Sequence, residues 1–509
     1  MEHQTIFLLP FIILILSAIF LHHRRRNSGN SQFPPGPPGW PIIGNLLDLG
    51  KLPHRTLNDM KQKYGDIIGV KLGSINTTVI QSSKAASEFF KNHDLSFADR
   101  SITQTMRLCE FNEGALSLLP YSSENWRVLR KLVTVDMLGK KKLNETAFVR
   151  RKCVDDLLNW IGEEKKGYAF DSGGIKIAEF VFLMAFNLMG NLVFSVDLVD
   201  RKSKRCSEFV EALFGMLEMS EKIEVIDFFP WLNWLNKLGW RRKMERRVSE
   251  ALKLASMLVE ERVEEKKKMG KGRNDFVDVL IEFQGNGKDE PLKIPQHNLN
   301  VLMLEMHMAL AENVGLIIEW AFSELLRNQD AMKKAKAELS SIIGPNNKVQ
   351  ETDIDNLPYL QAIIKETLRL HTPVPLLVPK KARQDTQFME YDILKNTQVF
   401  INVWAIGRDP QVWDDPLSFK PERFMDSNVD FRGHHFELLP FGAGRRICAG
   451  LSLADRVVHL VLGALLHHFD WKLGGGELNP STMDMRERSG ITMRKLKPLL
   501  VVPTKSKIE

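Results

Sequence analysis

The sequence predicts a mainly α-helical fold with a smaller β region, preceded by one N-terminal transmembrane helix. Three observations carry this. Residues 5–21 are almost continuously apolar and are followed by His22, His23 and Arg24-Arg25-Arg26. From Leu57 onward, apolar residues recur mostly at helical spacing, with only short alternating stretches between them. Near the C-terminus, one cysteine sits in the run Phe441-Gly442-Ala443-Gly444-Arg445-Arg446-Ile447-Cys448-Ala449-Gly450, directly before an apolar helical pattern at 451–465.

The first run is long enough to span a bilayer. A cleaved signal peptide is the rival reading, but it expects a positive charge before the apolar run and small residues after it. Here Glu2 precedes and arginines follow, so the flanks fit an anchor. The positive-inside rule then puts Arg24, and all that follows, in the cytosol. The reading divides the chain into an anchor with its basic flank at 1–26, a stiff proline-rich hinge at 27–41, and one large unit at 42–509. The 509 residues carry a net charge of +7. Their basic residues are scattered or near the membrane, which points to a membrane surface and an acidic protein partner, and away from nucleic acid. Four cysteines, Cys109, Cys153, Cys206 and Cys448, show no zinc spacing, and so few suit a reducing compartment.

Within the large unit, strands are expected at 67–72 and 77–81. Helices are expected at 85–92, 126–137, 145–160, 175–193, 207–220, 241–268, 297–327 and 360–370. Charged, glycine-containing stretches at 266–274 and 285–289 read as surface loops. No internal repeat is visible.

The cysteine run carries the chemistry. Its glycines let the backbone approach a flat ligand, because they tolerate unusual dihedrals and have no side chain in the way. A helix N-terminus behind the sulfur favours thiolate over thiol. A buried thiolate is a soft metal ligand, and haem iron is one metal bound this way. Arg446 is placed to pair with a carboxylate on the same ligand. The bland alternative is a structural cysteine beside a turn. The positions Phe441, Gly444, Arg446, Cys448 and Gly450 resemble the haem-binding loop of the cytochrome P450 superfamily at all five fixed places.

That resemblance implies the cytochrome P450 fold, haem b as cofactor, and Cys448 as the axial ligand of its iron. It implies that Trp126 and Arg130, four apart on one helical face, and Lys380 meet haem propionates. An arginine or histidine is commoner where Lys380 stands, and lysine keeps the charge without the bidentate fork. Glu366, Arg369 and Arg423 resemble the family's structural Glu–Arg–Arg triad. Leu376, Leu377 and Val378 are expected to line the cavity beside the haem, with ordinary core packing as the alternative. The proline run resembles the hinge of microsomal members, which orients the catalytic domain on the membrane.

The central helix departs from the family. Its usual Ala-Gly-x-Asp/Glu-Thr-Thr segment falls on Ala309-Leu310-Ala311-Glu312-Asn313-Val314. The acid is kept as Glu312, a possible proton source. Leu310 replaces the glycine that makes room for dioxygen, and Asn313 replaces the alcohol that orders protons. Asn313 could hold a relay water, anchor a substrate oxygen, or simply bond within its own helix. Ala309 and Leu310 join the expected pocket.

Leu95-Ser96-Phe97-Ala98-Asp99-Arg100 and Arg151-Lys152-Cys153-Val154-Asp155-Asp156 look most like plant geraniol hydroxylases and iridoid oxidases. The implied protein is a haem-thiolate monooxygenase of the endoplasmic-reticulum membrane, single-pass and facing the cytosol. It would oxidise a small apolar terpenoid, iridoid or alkaloid with dioxygen and electrons from NADPH–cytochrome P450 reductase. Arg127, Lys131, Lys140, Lys141 and Lys142 are candidates for the reductase-docking face. The altered segment motivates one alternative, rearrangement, dehydration or oxidative coupling without classical oxygen insertion. A non-catalytic haem protein is the other.

Overall fold

The apolar run in the middle of the chain folds as one helix, Gln296–Arg327, and every residue from Val314 to Leu326 on it is buried. A helix apolar on all sides belongs at the centre of a large core. The helix Ile177–Phe194 packs across it. Gly315 permits the approach, since a Cβ there would stand 3.2 Å from the carbonyl oxygen of Ala178. Both helices are long and apolar enough to cross a membrane, but 72% and 78% of their apolar windows are buried inside the protein. They are core helices. Pro358–Leu370 and Leu451–His468 also pack on the long helix.

The computed structural model describes residues 32–164, 173–199, 215, 225–229, 240–270, 272–273, 275–476, 479–488 and 490–505. The expected membrane helix at 5–21, the start of the hinge, and all of the expected helix at 207–220 except Gly215 lie outside the described residues.

Among the described residues the largest sheet has five strands. Ile67–Leu72 and Ile75–Ile80 form an antiparallel hairpin. Gln398–Ile401 runs parallel to the second, and Lys380–Lys381 then pairs antiparallel with Gln398–Ile401. Asp99–Arg100 closes the edge, with Arg100 directly opposite Lys380. Chain segments almost three hundred positions apart thus meet at two cations. A three-stranded sheet joins Ile175–Lys176, Leu500–Lys505 and Phe469–Leu473. A short hairpin, Glu487–Arg488 with Arg494–Lys495, lies near the C-terminus.

Most expected elements are present with shifted ends. The helix expected at 126–137 is an α-helix over Glu124–Lys131 that widens into a π-helical turn at Leu132–Met137. Helix begins at Ala147, after a break at Thr146 whose hydroxyl donates to Lys142 O at 2.8 Å. Ile175 and Lys176 leave the expected helix because Val501 and Leu500 offer them a strand partner. The helix Trp240–Met269 runs into the stretch expected to loop from 266, and ends where Gly270 takes φ +70°.

Glu366, Arg369 and Arg423 come together. Arg369 donates to both carboxylate oxygens of Glu366, at 2.7 and 2.8 Å, and to Gly407 O, Pro416 O and Ser418 O. All five guanidinium N–H groups are therefore used. Arg423 Nε reaches Glu366 Oε1 at 3.0 Å, and the Lys420 N–H joins it at 2.8 Å. The Glu366 and Arg369 side chains are fully buried. The segment 407–423 is thereby fastened to Pro358–Leu370 just before the chain enters the cysteine loop. Glu366→Ala leaves a buried guanidinium without its counter-ion and should cost about 3–5 kcal/mol. Lys333→Ala, which removes an exposed pair with Asp330 at 3.6 Å, should change stability by less than about 1 kcal/mol. Urea unfolding of the two variants checks the contrast.

Candidate active site

The cysteine loop is shaped by backbone that only glycine adopts easily. Gly442 and Gly444 both take φ +68°. A Cβ on Gly444 would stand 2.6 Å from Asp94 Oδ2. The Cys448 N–H donates to Phe441 O at 3.0 Å, which folds the loop back on itself. Cys448 then sits just ahead of the helix Leu451–His468. Burial raises its thiol pKa, while the backbone N–H groups of Gly450 and Leu451 and the charge of Arg130 favour the thiolate. The residue is exposed although core surrounds it, so it faces an interior cleft. Ala309 is likewise exposed in an otherwise buried part of the long helix.

Cations gather beside this loop. Arg446 is buried, stacks 4.4 Å over the Trp126 ring, and donates to Ala98 O and Leu119 O at 2.8 and 2.6 Å. Lys380 is buried with its Nζ 3.2 Å from Asp94 Oδ1. Arg100, opposite Lys380 in the sheet, donates to Ser117 O and Val378 O at 3.1 and 2.7 Å. Burial, with repulsion among these cations, lowers Lys380 to about 8, Arg100 to about 9 and Arg446 to about 10. Burial lowers Arg130 as well. The neighbouring carboxylates of Asp94, Asp99 and Glu305 do not offset this.

Haem tests well against these residues. It brings two carboxylates for the cations and an iron for the one cysteine that, among the described residues, opens on the cleft. Gly444 makes room for the Asp94 carboxylate, while a Cβ on Gly442 or Gly450 would meet only ordinary contacts, with Leu377 at 3.6 Å and Cys448 Sγ at 3.8 Å.

The expected oxygen-side residues have other attachments. The Glu312 carboxylate accepts from Thr492 Oγ1 and from Arg494 Nη2 at 2.8 Å, so the C-terminal hairpin holds it. Asn313 Nδ2 donates to Ala309 O at 2.8 Å within its own helix. Its Oδ1 is buried, with no hydrogen-bond partner among the described residues. Leu310 is buried in the main core. Leu376 packs against the cluster around the first hairpin, and Leu377, at φ +51°, against the cluster beneath the cysteine loop. Leu376, Leu377 and Val378 all keep part of their surface open, and Val378 presents its carbonyl to Arg100.

Sequence reading missed Arg100, Asp94, Glu305 and the Arg494–Thr492 pair. Arg100 lies in the stretch 95–100, whose only sequence signal is its likeness to plant relatives. Its position opposite Lys380 depends on a strand pairing that no local pattern reveals.

The family model described as Cytochrome P450 matches residues 34–502. An iridoid oxidase of Catharanthus roseus is 47% identical over 496 residues, covering 97% of this chain and 95% of that protein. A geraniol 8-hydroxylase of the same plant is 40% identical over 505 residues, covering 99% and 100%. The solved structure of a zebrafish cytochrome P450 with progesterone matches with a TM-score of 0.74 at 24% identity, over 89% of this chain and 99% of that one, and so shares the fold. With the cysteine loop and its ring of buried cations, these likenesses show that the chain belongs to the cytochrome P450 family and is a monooxygenase of that family.

Proposed function

We propose that this monooxygenase oxidises a small, mainly apolar plant terpenoid of the iridoid or monoterpenoid kind, with an alkaloid as the other substrate class. The observation that carries this is full-length similarity to an iridoid oxidase and a geraniol 8-hydroxylase. Cys448 would hold the haem iron, and Arg100, Trp126, Arg130, Lys380 and Arg446 would hold its carboxylates. Bound haem supplies dioxygen activation, and the protein supplies placement and protons. Electrons would come from NADPH–cytochrome P450 reductase. Arg127, Lys131, Lys140 and Lys141 are exposed and Lys142 half-buried, which suits an acidic partner. The chain would sit in the endoplasmic-reticulum membrane through residues 5–21, with the catalytic unit in the cytosol. Microsomes carrying the protein, given NADPH, reductase and a panel of monoterpenoids, iridoids and alkaloids, should yield oxygenated products by mass spectrometry. No product from any of them would end this reading.

A second reading keeps the haem and changes the outcome to rearrangement, dehydration or oxidative coupling. It rests on Asn313, whose amide is bonded to its own helix, and on Leu310. Products lacking an atom from labelled dioxygen would favour it.

Cys448→Ser should abolish the thiolate-type carbon monoxide difference band, read on the reduced protein. Asn313→Thr separates roles for the amide. If Asn313 orders protons, threonine should hold or improve product formed per NADPH consumed, with peroxide release level or lower. If it anchors substrate, native product should fall while oxygen consumption survives. Deleting residues 1–26 should leave a folded haem protein that partitions less strongly into membranes, because the core begins beyond the hinge.

A further inference from the structure

The long helix grips one neighbouring segment with a single face. His297 Nε2 lies 3.1 Å from Glu110 O, and Asn298 Nδ2 donates to Glu113 O at 2.9 Å. Gly114 lies against Val301 so closely that a Cβ would stand 2.6 Å from Val301 Cβ. One turn on, the Glu305 carboxylate accepts the Leu116 N–H at 2.6 Å and the Ser117 N–H at 2.8 Å. Positions 298, 301 and 305 are three and four apart and so share one face. The next positions on that face, Ala309 and Glu312, belong to the candidate site.

Glu305 differs from the other grips in what lies across the peptide it holds. Ser117 O accepts from Arg100 Nε at 3.1 Å, and Leu116 O lies 3.5 Å from Arg446 Nη1. Two residues further, Leu119 O accepts from Arg446 Nη2 at 2.6 Å. The strip 116–119 therefore has a carboxylate at its N–H side and two buried guanidiniums at its carbonyl side. The Leu116–Ser117 peptide has the carboxylate at its N–H and Arg446 near its C=O, so its dipole is oriented favourably at both ends. Removing the carboxylate frees two N–H groups and loosens the carbonyls that aim Arg100 and Arg446. Asn298 holds the same segment through Glu113 O, and its side chain hydrogen-bonds neither the strip nor the arginines among the described residues.

We propose that Glu305 is a positioning residue for the haem, acting through the peptide strip 116–119 to set Arg100 and Arg446 against the haem carboxylates. This rests on the reading that those cations hold haem, and it assigns their aim to an acid on the opposite, substrate-side helix.

The test is the rate of haem transfer from the purified holoprotein to excess apomyoglobin. Glu305→Ala should speed transfer about tenfold or more, the scale of losing hydrogen bonds to a charged group. Asn298→Ala should leave the rate at its native value. In the Glu305→Ala/Arg100→Ala double variant the rate should fall well short of the product of the two single ratios, because both changes act on one contact. If Asn298→Ala speeds transfer as much as Glu305→Ala, the effect is general loosening of the segment and the proposal fails. Fully multiplicative effects of the Glu305 and Arg100 changes also overturn it. Should Glu305→Ala yield no holoprotein, Glu305→Gln, which keeps one acceptor oxygen, takes its place in every comparison, and a native rate there refutes the proposal. Native protein that never shows a thiolate-type carbon monoxide band would instead remove the haem reading itself.

Discussion

Arg100 and Lys380 stand opposite each other on paired strands, where like charges repel and opposite charges are favoured. Both are buried, so water screens little of the repulsion. Arg446 lies close enough to lower both of them further, and Arg130 adds to the effect on Arg100. Such a cluster is tolerable only where something anionic completes it. Asp94 supplies part, but it also accepts the Arg445 N–H at 2.7 Å and so fixes the cysteine loop. The remaining positive charge sits beside Cys448, whose burial disfavours its own ionisation. A dianionic ligand with a metal at its centre answers both imbalances at once. The glycine conformations, the Glu366 network and the sheet register then read as devices that hold cations and sulfur at one fixed place.

How much of this was legible depended on range. The cysteine loop is local: its five fixed positions sit within ten residues, the helix Leu451–His468 follows at once, and the chain itself dictates the geometry. The triad was legible because two members are three apart on one helix and the third lies in a distinctive downstream run. Core helices were legible from periodicity, although their ends moved wherever a distant strand or a threonine hydroxyl competed for the backbone, as at Ile175 and Thr146. The cation cluster was only half legible. Trp126, Arg130, Lys380 and Arg446 carried motif signals, whereas Arg100 entered through a strand pairing across 280 positions. Glu305 offered no signal at all, since a lone acid in an apolar helix says nothing of the N–H groups it will meet.

The same limit applies to the oxygen-side residues, with a consequence for chemistry. Sequence placed Glu312 and Asn313 side by side as a possible proton path. The structure points them to different partners: Glu312 to Arg494 and Thr492 on the C-terminal hairpin, Asn313 back to Ala309 O. A charge-assisted contact is roughly twice as strong as a neutral one, so Glu312 is the more firmly held. Asn313 is the looser of the two. An amide bonding back within its helix is a weak, slightly unfavourable arrangement, and its buried Oδ1 still lacks a donor among the described residues. Leaving a buried acceptor unpaired costs about 1–3 kcal/mol. A ligand hydroxyl or a carried water that supplied this donor would recover much of that cost. Of the two side chains, Asn313 is thus the one with hydrogen-bonding capacity still to be met, whereas the Glu312 carboxylate is already engaged by Thr492 and Arg494.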